Sequence, residues 1–320
     1  MVVLSMITKN SLEKVGSDFE KVWQSSLQVP YDLILLVDDS DNDKTRRFVE
    51  NFAKAHGKEI VVLKSKLYGW HKPTRATARQ TAIDAFFENT DEEWLFFLDD
   101  DFILGRGWWD IARRYMDRPD VGLIWGIDYT PRWTERIKWI KTRGLSEREY
   151  AIYSFNVRGG LHDTLLRRGA IEGVKIPPWL HVYEDAWIKK FAECKNFKPI
   201  IIDVPGNTHL RASGEGYDKA DVELMLKVSA CLKLENVNLV SLFKALFGLP
   251  GYVFYARKAG MQLAEGFRIW KARASWRLKH IIWQLKCRSL DTCTAVSNVR
   301  EMEKILKLSL IHISEPTRPY

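Results

Sequence analysis

Long apolar runs are missing from this sequence of 320 residues. No stretch of about 20 uncharged apolar residues occurs, so no clear membrane-spanning helix is predicted. The chain opens on a strand-like segment, and we therefore expect no cleavable signal peptide. The four cysteines form no CxxC pair, which argues against a zinc site of the usual spacing. A reduced, cytoplasmic setting is the default expectation for such cysteines.

Excess positive charge is lacking over most of the chain, where basic and acidic residues balance, although the net charge is +8. The segment from Arg257 to Arg288 alone holds nine Lys or Arg residues against one acid, Glu265. The rest of the sequence is therefore close to neutral. It lacks the evenly basic composition of a nucleic-acid-binding protein, so we expect no nucleic-acid partner.

Strand and helix patterns alternate along the first third of the chain. Short apolar or β-branched runs predict four strands, at Val2–Ile7, Asp32–Val37, Glu59–Leu63 and Trp94–Leu98. Helical spacing predicts helices between them, at Ser11–Leu27, Thr45–His56 and Ala76–Asn89. This alternation favours an α/β fold with a parallel, doubly wound sheet. Ligands bind at the carboxyl ends of the strands in such sheets.

The later part of the chain is richer in aromatic residues and has a weaker periodicity. We predict three further strands, at Val121–Ile127, Ala151–Phe155 and Pro199–Val204, and two helices, at Asp163–Ala170 and Glu184–Glu193. We divide the chain into a catalytic domain at 1–215, a helical, basic region at 216–307 and a tail at 308–320. The segment from Leu308 to Arg318 resembles the translation of a transposase-type sequencing adapter, and we interpret the tail as an assembly scar.

Two clusters of acids follow predicted strands. The first, after the second strand, comprises Asp38, Asp39, Asp41 and Asp43. Clustered carboxylates repel one another unless a metal, basic side chains or backbone N–H groups compensate their charge. A solvated turn rich in Asp would have the same sequence pattern. The second cluster is Asp99–Asp101, which lies between the apolar segments WLFFL and FIL. Carboxylates that are buried among apolar residues need partners. Carboxylates suit Mg²⁺ or Mn²⁺, which would also contact the phosphates of a nucleotide diphosphate.

A third acid pair, Glu184 and Asp185, opens a predicted helix. The helix dipole alone could explain acids at this position, whereas the functional interpretation makes one of them a general base. His209 follows the last predicted strand. A lone histidine is more often structural, and it becomes a candidate metal ligand only if it meets the second acid cluster.

Taken together, these motifs resemble family-2 glycosyltransferases over about residues 2–210. The similar segments are ITKN with Thr8, VDDSDNDKT with Asp39, KPTRATARQTA with Arg75, the DxD-like LDDDF, and Gly159–Gly160 followed by the Glu184–Asp185 pair. Ser40, Gln80 and Ala82 depart from the family pattern. The resemblance implies a GT-A fold, a Rossmann-like mixed, mainly parallel sheet flanked by helices. A C-terminal helical, membrane-associating appendage would follow it.

The resemblance also implies roles for individual residues. Donor-binding residues would be Thr8, Asp38, Asp39, Arg75, Asp99 and Asp100. Metal ligands for Mn²⁺ or Mg²⁺ would be Asp99, Asp101 and His209. Asp185, with Glu184 beside it, would be the catalytic base of an inverting, single-displacement transfer. The donor would be a UDP-, GDP- or dTDP-sugar, and the acceptor a hydroxyl group of a lipid-linked molecule or a growing glycan.

The basic C-terminal region suggests a membrane surface. Val237–Ala256 is mostly apolar but contains Lys244 and Pro250, which suits a membrane-dipping or groove-packing pair of short helices better than a span. Downstream, seven apolar residues share one helical face: Leu263, Phe267, Trp270, Ala274, Leu278, Ile281 and Leu285. With flanking Lys and Arg residues, this pattern is typical of an interfacial helix on anionic lipid. The alternative is a helix packed on its own domain. We predict a cytoplasmic protein, peripheral at the inner face of the cell membrane.

Two other function classes remain open at this point. A nucleotidyltransferase shares the strand–helix layout but usually carries a glycine-rich loop after the first strand, and Ile7–Ser11 contains no glycine. A basic nucleic-acid- or membrane-binding protein without catalysis would leave the three acid clusters unexplained. Acids at such a cleft repel phosphates unless a metal intervenes.

Overall fold

The computed structural model describes residues 2–128, 140–210 and 219–306, and these residues fall into two compact units. The first unit holds residues 2–128 and 159–210, and the second holds residues 140–158 and 219–306. The boundary predicted at 215 and the tail at 308–320 lie outside the described residues. Both therefore stay predictions.

The first unit contains nine strands and seven α-helices among its described residues. The strands are β1 Val2–Thr8, β2 Tyr31–Asp38, β3 Glu59–Leu63, β4 Trp94–Leu98, β5 Phe102–Ile103, β6 Val121–Gly126, β7 Asp163–Arg167, β8 Lys198–Ile202 and β9 Thr208–His209. The helices are α1 Ser11–Val15, α2 Asp18–Ser26, α3 Lys44–Ala55, α4 Arg75–Asn89, α5 Trp108–Ala112, α7 Arg168–Ile171 and α8 Glu184–Cys194. The helix between α5 and α7 in chain order, α6 Glu147–Arg158, belongs to the second unit.

Seven strands form one mixed, mainly parallel sheet in the order β3-β2-β1-β4-β7-β6-β8. Only β7 runs antiparallel to its neighbours, β4 and β6. The central strands are buried on both faces, which explains why their sequences are continuous apolar runs rather than alternating ones. The predicted α/β sheet flanked by helices is therefore confirmed. β5 and β9 form a separate antiparallel ribbon.

Most predicted elements lie where the sequence places them, and local chemistry explains their ends. The predicted helix Ser11–Leu27 is two helices, because Gly16 interrupts it with a φ of 66° that side chains rarely adopt. Helix α4 begins with a capping box in which the Thr74 hydroxyl accepts a hydrogen bond from the Thr77 N–H at 3.1 Å. This cap fixes where the arginines of α4 lie.

Two predictions of secondary structure were wrong. The segment Ala151–Phe155, predicted as a strand, lies in helix α6, Glu147–Arg158. The segment Asp163–Ala170, predicted as a helix, is strand β7 followed by one short helical turn. Tertiary context overrides local pattern in the second case, because β7 is buried between β4 and β6 and pairs with both.

The second unit is entirely helical among its described elements. Its helices are α6 Glu147–Arg158, α9 Lys219–Cys231, α10 Leu239–Phe247, α11 Leu249–Lys258, α12 Leu263–Lys286, α13 Thr292–Ser297 and α14 Val299–Leu306. A disulfide joins Cys231 to Cys287, which ties the end of α9 to the end of α12. The reduced, cytoplasmic setting expected from the sequence stays a prediction.

The apolar face predicted for α12 is only partly buried. Its inward side carries Gly266, Ala274 and His280, whereas Leu263 and Phe267 from the predicted face are at least half exposed. The contact surface of α12 is therefore rotated relative to its apolar stripe. Two small residues and one histidine are the buried residues of α12, and part of the stripe faces outward.

Candidate active site

The carboxyl ends of β1, β2 and β4 meet at one edge of the sheet, since the three strands are parallel. Thr8 pairs in register with Asp38, and the Thr8 carbonyl accepts a hydrogen bond from the Asp39 N–H at 2.9 Å. The Ser11 hydroxyl bridges this edge, because it contacts both the Thr8 hydroxyl and the Asp100 carboxylate. The first two acid clusters therefore share one edge, as the sequence predicts.

Hydrogen bonds compensate the first acid cluster. Asp38 accepts a hydrogen bond from the Ser40 N–H at 2.9 Å, and Asp39 accepts one from the Ser65 N–H at 3.1 Å. Both aspartates are buried. Asp39 thus fixes the chain that leaves β3, and it lies one strand further from the second cluster than Thr8 does.

The second acid cluster meets His209 through the β5–β9 ribbon. Phe102 pairs in register with His209, and the Leu210 N–H donates to the Asp101 carbonyl at 2.8 Å. This register places His209 Nε2 3.2 Å from Asp101 Oδ1. One ligand atom from each of Asp99, Asp101 and His209 lies within 4.8 Å of the others. The structure therefore brings together the three residues predicted to bind a metal.

Strong electrostatic coupling holds this cluster. Burial alone would lower the pKa of His209, but Asp101 and Asp128 outweigh it and hold that pKa well above 6.5. The Asp128 carboxylate lies on the other side of the imidazole ring from Asp101, with its Oδ2 atom 3.7 Å from His209 Nδ1. Burial alone would raise the pKa of Asp99, but the Arg79 guanidinium outweighs it, so the pKa lies below its usual range. The carboxylates and the imidazole of this cluster are thus electrostatically coupled to one another and to Arg79.

Arg79 is a site residue that the sequence analysis missed. It lies on α4, is 2% exposed, stacks on the Phe97 ring and forms an ion pair with Asp99. Its Nε and Nη1 atoms have no hydrogen-bond partner among the described residues. The signal that could have found it is the arginine of ARQTA, which lies at the end of the family-like segment KPTRATARQTA. The sequence prediction for the donor contact was instead Arg75, from the same segment.

The third acid pair opens α8 through an unusual backbone turn. The residue before the helix, Tyr183, has a φ of 68°, a left-handed conformation that is rare for a bulky side chain. Glu184 is 4% exposed, and its Oε1 lies 3.8 Å from Nη1 of Arg75. The Asp185 carboxylate accepts a hydrogen bond from the Ala186 N–H at 2.8 Å. Backbone strain of this kind is concentrated at functional sites.

Helix α4 links the second and third acid groups. Arg75 faces Glu184, and Arg79, four residues later, faces Asp99. Residues four apart lie on one helical face about one turn, or roughly 5–6 Å, apart. The acids at the start of α8 are therefore neighbours of the metal-ligand cluster.

The glycine pair Gly159–Gly160 allows a close approach between these groups. A Cβ atom on Gly159 would lie 2.9 Å from the Asp185 carbonyl carbon, and one on Gly160 would lie 2.4 Å from Nε1 of Trp125. Neither distance is tolerable, so only glycine fits at both positions. The Trp125 indole in turn donates to His162 Nε2 at 3.1 Å.

A buried polar network lies behind the cluster, and sequence reasoning did not find it. Asp163 is fully buried and accepts hydrogen bonds from Trp108 Nε1 at 2.8 Å and Asn207 Nδ2 at 3.0 Å. Its Oδ1 lies 2.7 Å from His162 Nδ1. Burial raises the pKa of Asp163 to about 6. Because Asn207 stands two residues before His209, this network fixes the approach of β9 to the cluster.

The donor set of the cluster fits a divalent cation. Two carboxylates and one imidazole can each present an atom to a common point, and oxygen ligands suit Mg²⁺ and Mn²⁺. Asp101 is 5% exposed, so its charge is poorly solvated without a partner. The arrangement can therefore bind a divalent metal with positions left for a ligand's oxygens.

Comparison with known protein families gives a match to the first half of the chain. A profile described as Glycosyl transferase family 2 matches residues 6–171, just over half of the chain. Among curated proteins, no relative matches this sequence.

Solved structures share the fold at low sequence identity. A mannosyltransferase, PcManGT from Pyrobaculum calidifontis in complex with GDP-Man and Mn²⁺, is 14% identical with a TM-score of 0.54, covering 89% of this chain and 86% of that one. The structure of S. aureus TarS 1-349 in complex with UDP-GlcNAc is 12% identical with a TM-score of 0.52, covering 90% of each chain. This chain spans only 55% of the longer TarS structure. These likenesses show the GT-A fold.

Proposed function

Since the chain belongs to glycosyl transferase family 2, we propose that it is a metal-dependent, inverting hexosyltransferase. It would move a sugar from a nucleotide-diphosphate sugar to a hydroxyl group of a lipid-linked or glycan acceptor. The observation that carries the proposal is the convergence of Asp99, Asp101 and His209 at the carboxyl edge of the sheet. Two of the similar structures contain GDP-Man and UDP-GlcNAc, which supports a nucleotide-sugar donor.

Asp99, Asp101 and His209 are the residues that would hold the metal. When bound there, a divalent cation would supply stabilisation of the negative charge on a leaving diphosphate. The imidazole suits Mn²⁺ better than Mg²⁺, since nitrogen ligands favour the softer of the two ions. Arg79 would keep Asp99 ionised and oriented, because its guanidinium forms the ion pair inside the protein.

The donor nucleotide would lie along the ends of β1 and β2. Thr8, Asp38 and Asp39 border this edge, and Asp100 reaches it through the Ser11 hydroxyl. Asp39 is our choice for the contact to the base. The hydrogen bonds to Asp38 and Asp39 keep the two carboxylates in fixed positions.

Asp185 would be the general base that removes the proton from the attacking hydroxyl. Its carboxylate is anchored at the N-terminus of α8 by the Ala186 N–H, where the helix dipole favours the ionised form. Glu184, paired with Arg75, would orient this turn. A positioned base of this kind contributes about 10²–10⁴-fold to the rate.

The decisive experiment measures release of nucleoside diphosphate from a panel of UDP-, GDP- and dTDP-sugars. Each donor is assayed with Mn²⁺, with Mg²⁺ and with a chelator. We expect turnover of one nucleotide class, greater with Mn²⁺ than with Mg²⁺ and lost on chelation. Equal turnover in the chelated sample would refute the metal site.

Variants then separate the roles. Asp101→Ala should abolish Mn²⁺ binding measured by calorimetry as well as turnover. Asp185→Asn should retain Mn²⁺ and donor binding but lower kcat by about 10²–10⁴-fold. The matched control is Asp110→Asn, since that carboxylate is 62% exposed on α5 and pairs only with an exposed arginine, Arg113, among the described residues. Full transfer by Asp185→Asn would show that another group is the base.

A further inference from the structure

Helix α10 presents a continuous apolar face to solvent within the second unit. Five of its nine residues are exposed apolar side chains: Leu239, Val240, Phe243, Leu246 and Phe247. Their spacing places them on one side of the helix. Phe247 is 77% exposed and Leu239 is 64% exposed, although both are large apolar residues. A contiguous exposed patch of this kind marks an interaction surface.

The start of α12 extends this surface. The Trp270 indole donates to the Leu246 carbonyl at 3.2 Å, which fixes α12 beside the end of α10. Phe267, one turn earlier on α12, is 50% exposed and packs on the Trp270 ring with centroids 5.2 Å apart. We call the five residues of α10 together with Phe267 the apolar tip.

A sharp bend follows the apolar tip. Helices α10 and α11 meet at 62°, and in the described part of the chain no single helix is long and apolar enough to cross a membrane. Gly248 makes the bend, because a Cβ atom there would lie 2.5 Å from the Lys244 carbonyl oxygen. Pro250 lies in the first turn of α11, where its missing N–H costs no hydrogen bond. The pair is therefore shaped as a wedge rather than as a rod.

Helices α10 and α11 carry charge of one sign only. From Leu239 to Lys258 the sequence contains three basic residues and no acid. The three, Lys244, Arg257 and Lys258, are all exposed. A second copy of the same surface would bring these cations together and repel. An anionic lipid surface would instead neutralise them while its acyl region received the apolar side chains.

We propose that the apolar tip inserts into the interfacial layer of an anionic bilayer, with Lys244, Arg257 and Lys258 contacting lipid headgroups. This surface is distinct from the candidate active site, and its function does not depend on transfer activity. It places the membrane contact on α10, α11 and the start of α12 rather than on the whole basic helix that the sequence alone indicated.

The test is flotation of the full chain with phosphatidylcholine vesicles, with and without phosphatidylglycerol. We expect binding to the anionic vesicles, weakened by salt. Phe243→Ser with Phe247→Ser should lower the vesicle partition coefficient by at least tenfold, since each phenylalanine loses the burial of a large apolar side chain. Lys244→Gln should lower it about fivefold, because one cation near an anionic surface contributes about that factor.

The matched control is Val222→Ser, an exposed apolar residue on α9 outside the apolar tip. It should bind vesicles like the parent chain, and circular dichroism checks that each variant is folded. Equal binding to neutral and anionic vesicles would overturn the proposal. So would folded Phe243→Ser, Phe247→Ser protein that still floats, or a lipid-free dimer that these two substitutions abolish, since the tip would then be covered by a second copy.

Discussion

Gly126→Ala should destabilise the first unit by about 3–6 kcal/mol. A Cβ atom at this position would lie 2.0 Å from Asp163 Oδ2 and 2.8 Å from Trp108 Nε1. The carboxylate must then move by more than an ångström, which breaks its hydrogen bonds to Trp108 and Asn207. Each hydrogen bond to a charged group is worth about 1.5–3 kcal/mol, and a buried carboxylate left without donors costs at least as much.

Urea unfolding followed by tryptophan fluorescence measures this change as a fall in the denaturation midpoint. The matched control is Gly169→Ala on α7, where the added Cβ would lie 3.5 Å from the Phe197 ring, an ordinary contact. It should be neutral or stabilising by up to about 1 kcal/mol. Adding Asp163→Ala to Gly126→Ala should cost little more, because the clash and the carboxylate are removed together. A Gly126→Ala midpoint equal to that of Gly169→Ala would refute the packing described for Asp163.

Three further changes test other parts of the structure. Asp163→Asn should flatten the pH dependence of stability between about pH 4 and 6, measured by urea unfolding. In the parent protein the pKa of Asp163 rises from 3.8 in the unfolded chain to about 6 in the native state, so the native state binds the extra proton. The stability of the parent protein should therefore fall by roughly 3 kcal/mol as the pH rises through this window. Arg79→Leu should cost about 1.5–3 kcal/mol in chemical denaturation, because it removes the charged hydrogen-bond partner of the partly buried Asp99 carboxylate. Arg106→Leu, at an exposed position, should change little. Gly248→Ala should lower the thermal midpoint and reduce vesicle binding, because the added Cβ would clash with the Lys244 carbonyl and distort the bend.

The sequence predicts the first half of the fold well, for a physical reason. Strands buried on both faces must be continuous apolar runs, and DLILLV and WLFFL are unmistakable in that respect. The segment HDTLLRRGA carries no such signal. Its strand, β7, exists because β4 and β6 supply hydrogen-bond partners on both sides, and that context is invisible from local spacing.

The candidate site divides in the same way. The acids of LDDDF stand out because carboxylates are poor material for an apolar frame, and His209 stands out once a strand is expected before it. Arg79 and Asp163 do not stand out, since their significance lies in burial. In the sequence, a buried arginine and a buried aspartate look like surface residues, because their partners, Asp99 after β4 and Trp108 on α5, are distant along the chain.

Because the β5–β9 ribbon joins residues that are distant in the sequence, the candidate metal cluster is completed late in synthesis. Two of its ligands leave the ribosome with β4, whereas the imidazole arrives only after β9 has been synthesised and has paired in register with Phe102. A nascent chain that ends before β9 therefore carries the acidic loop but not the complete ligand set. Affinity for a cation at this cluster would then report that β9 has paired with β5. Metal titration would therefore measure folding as well as the site.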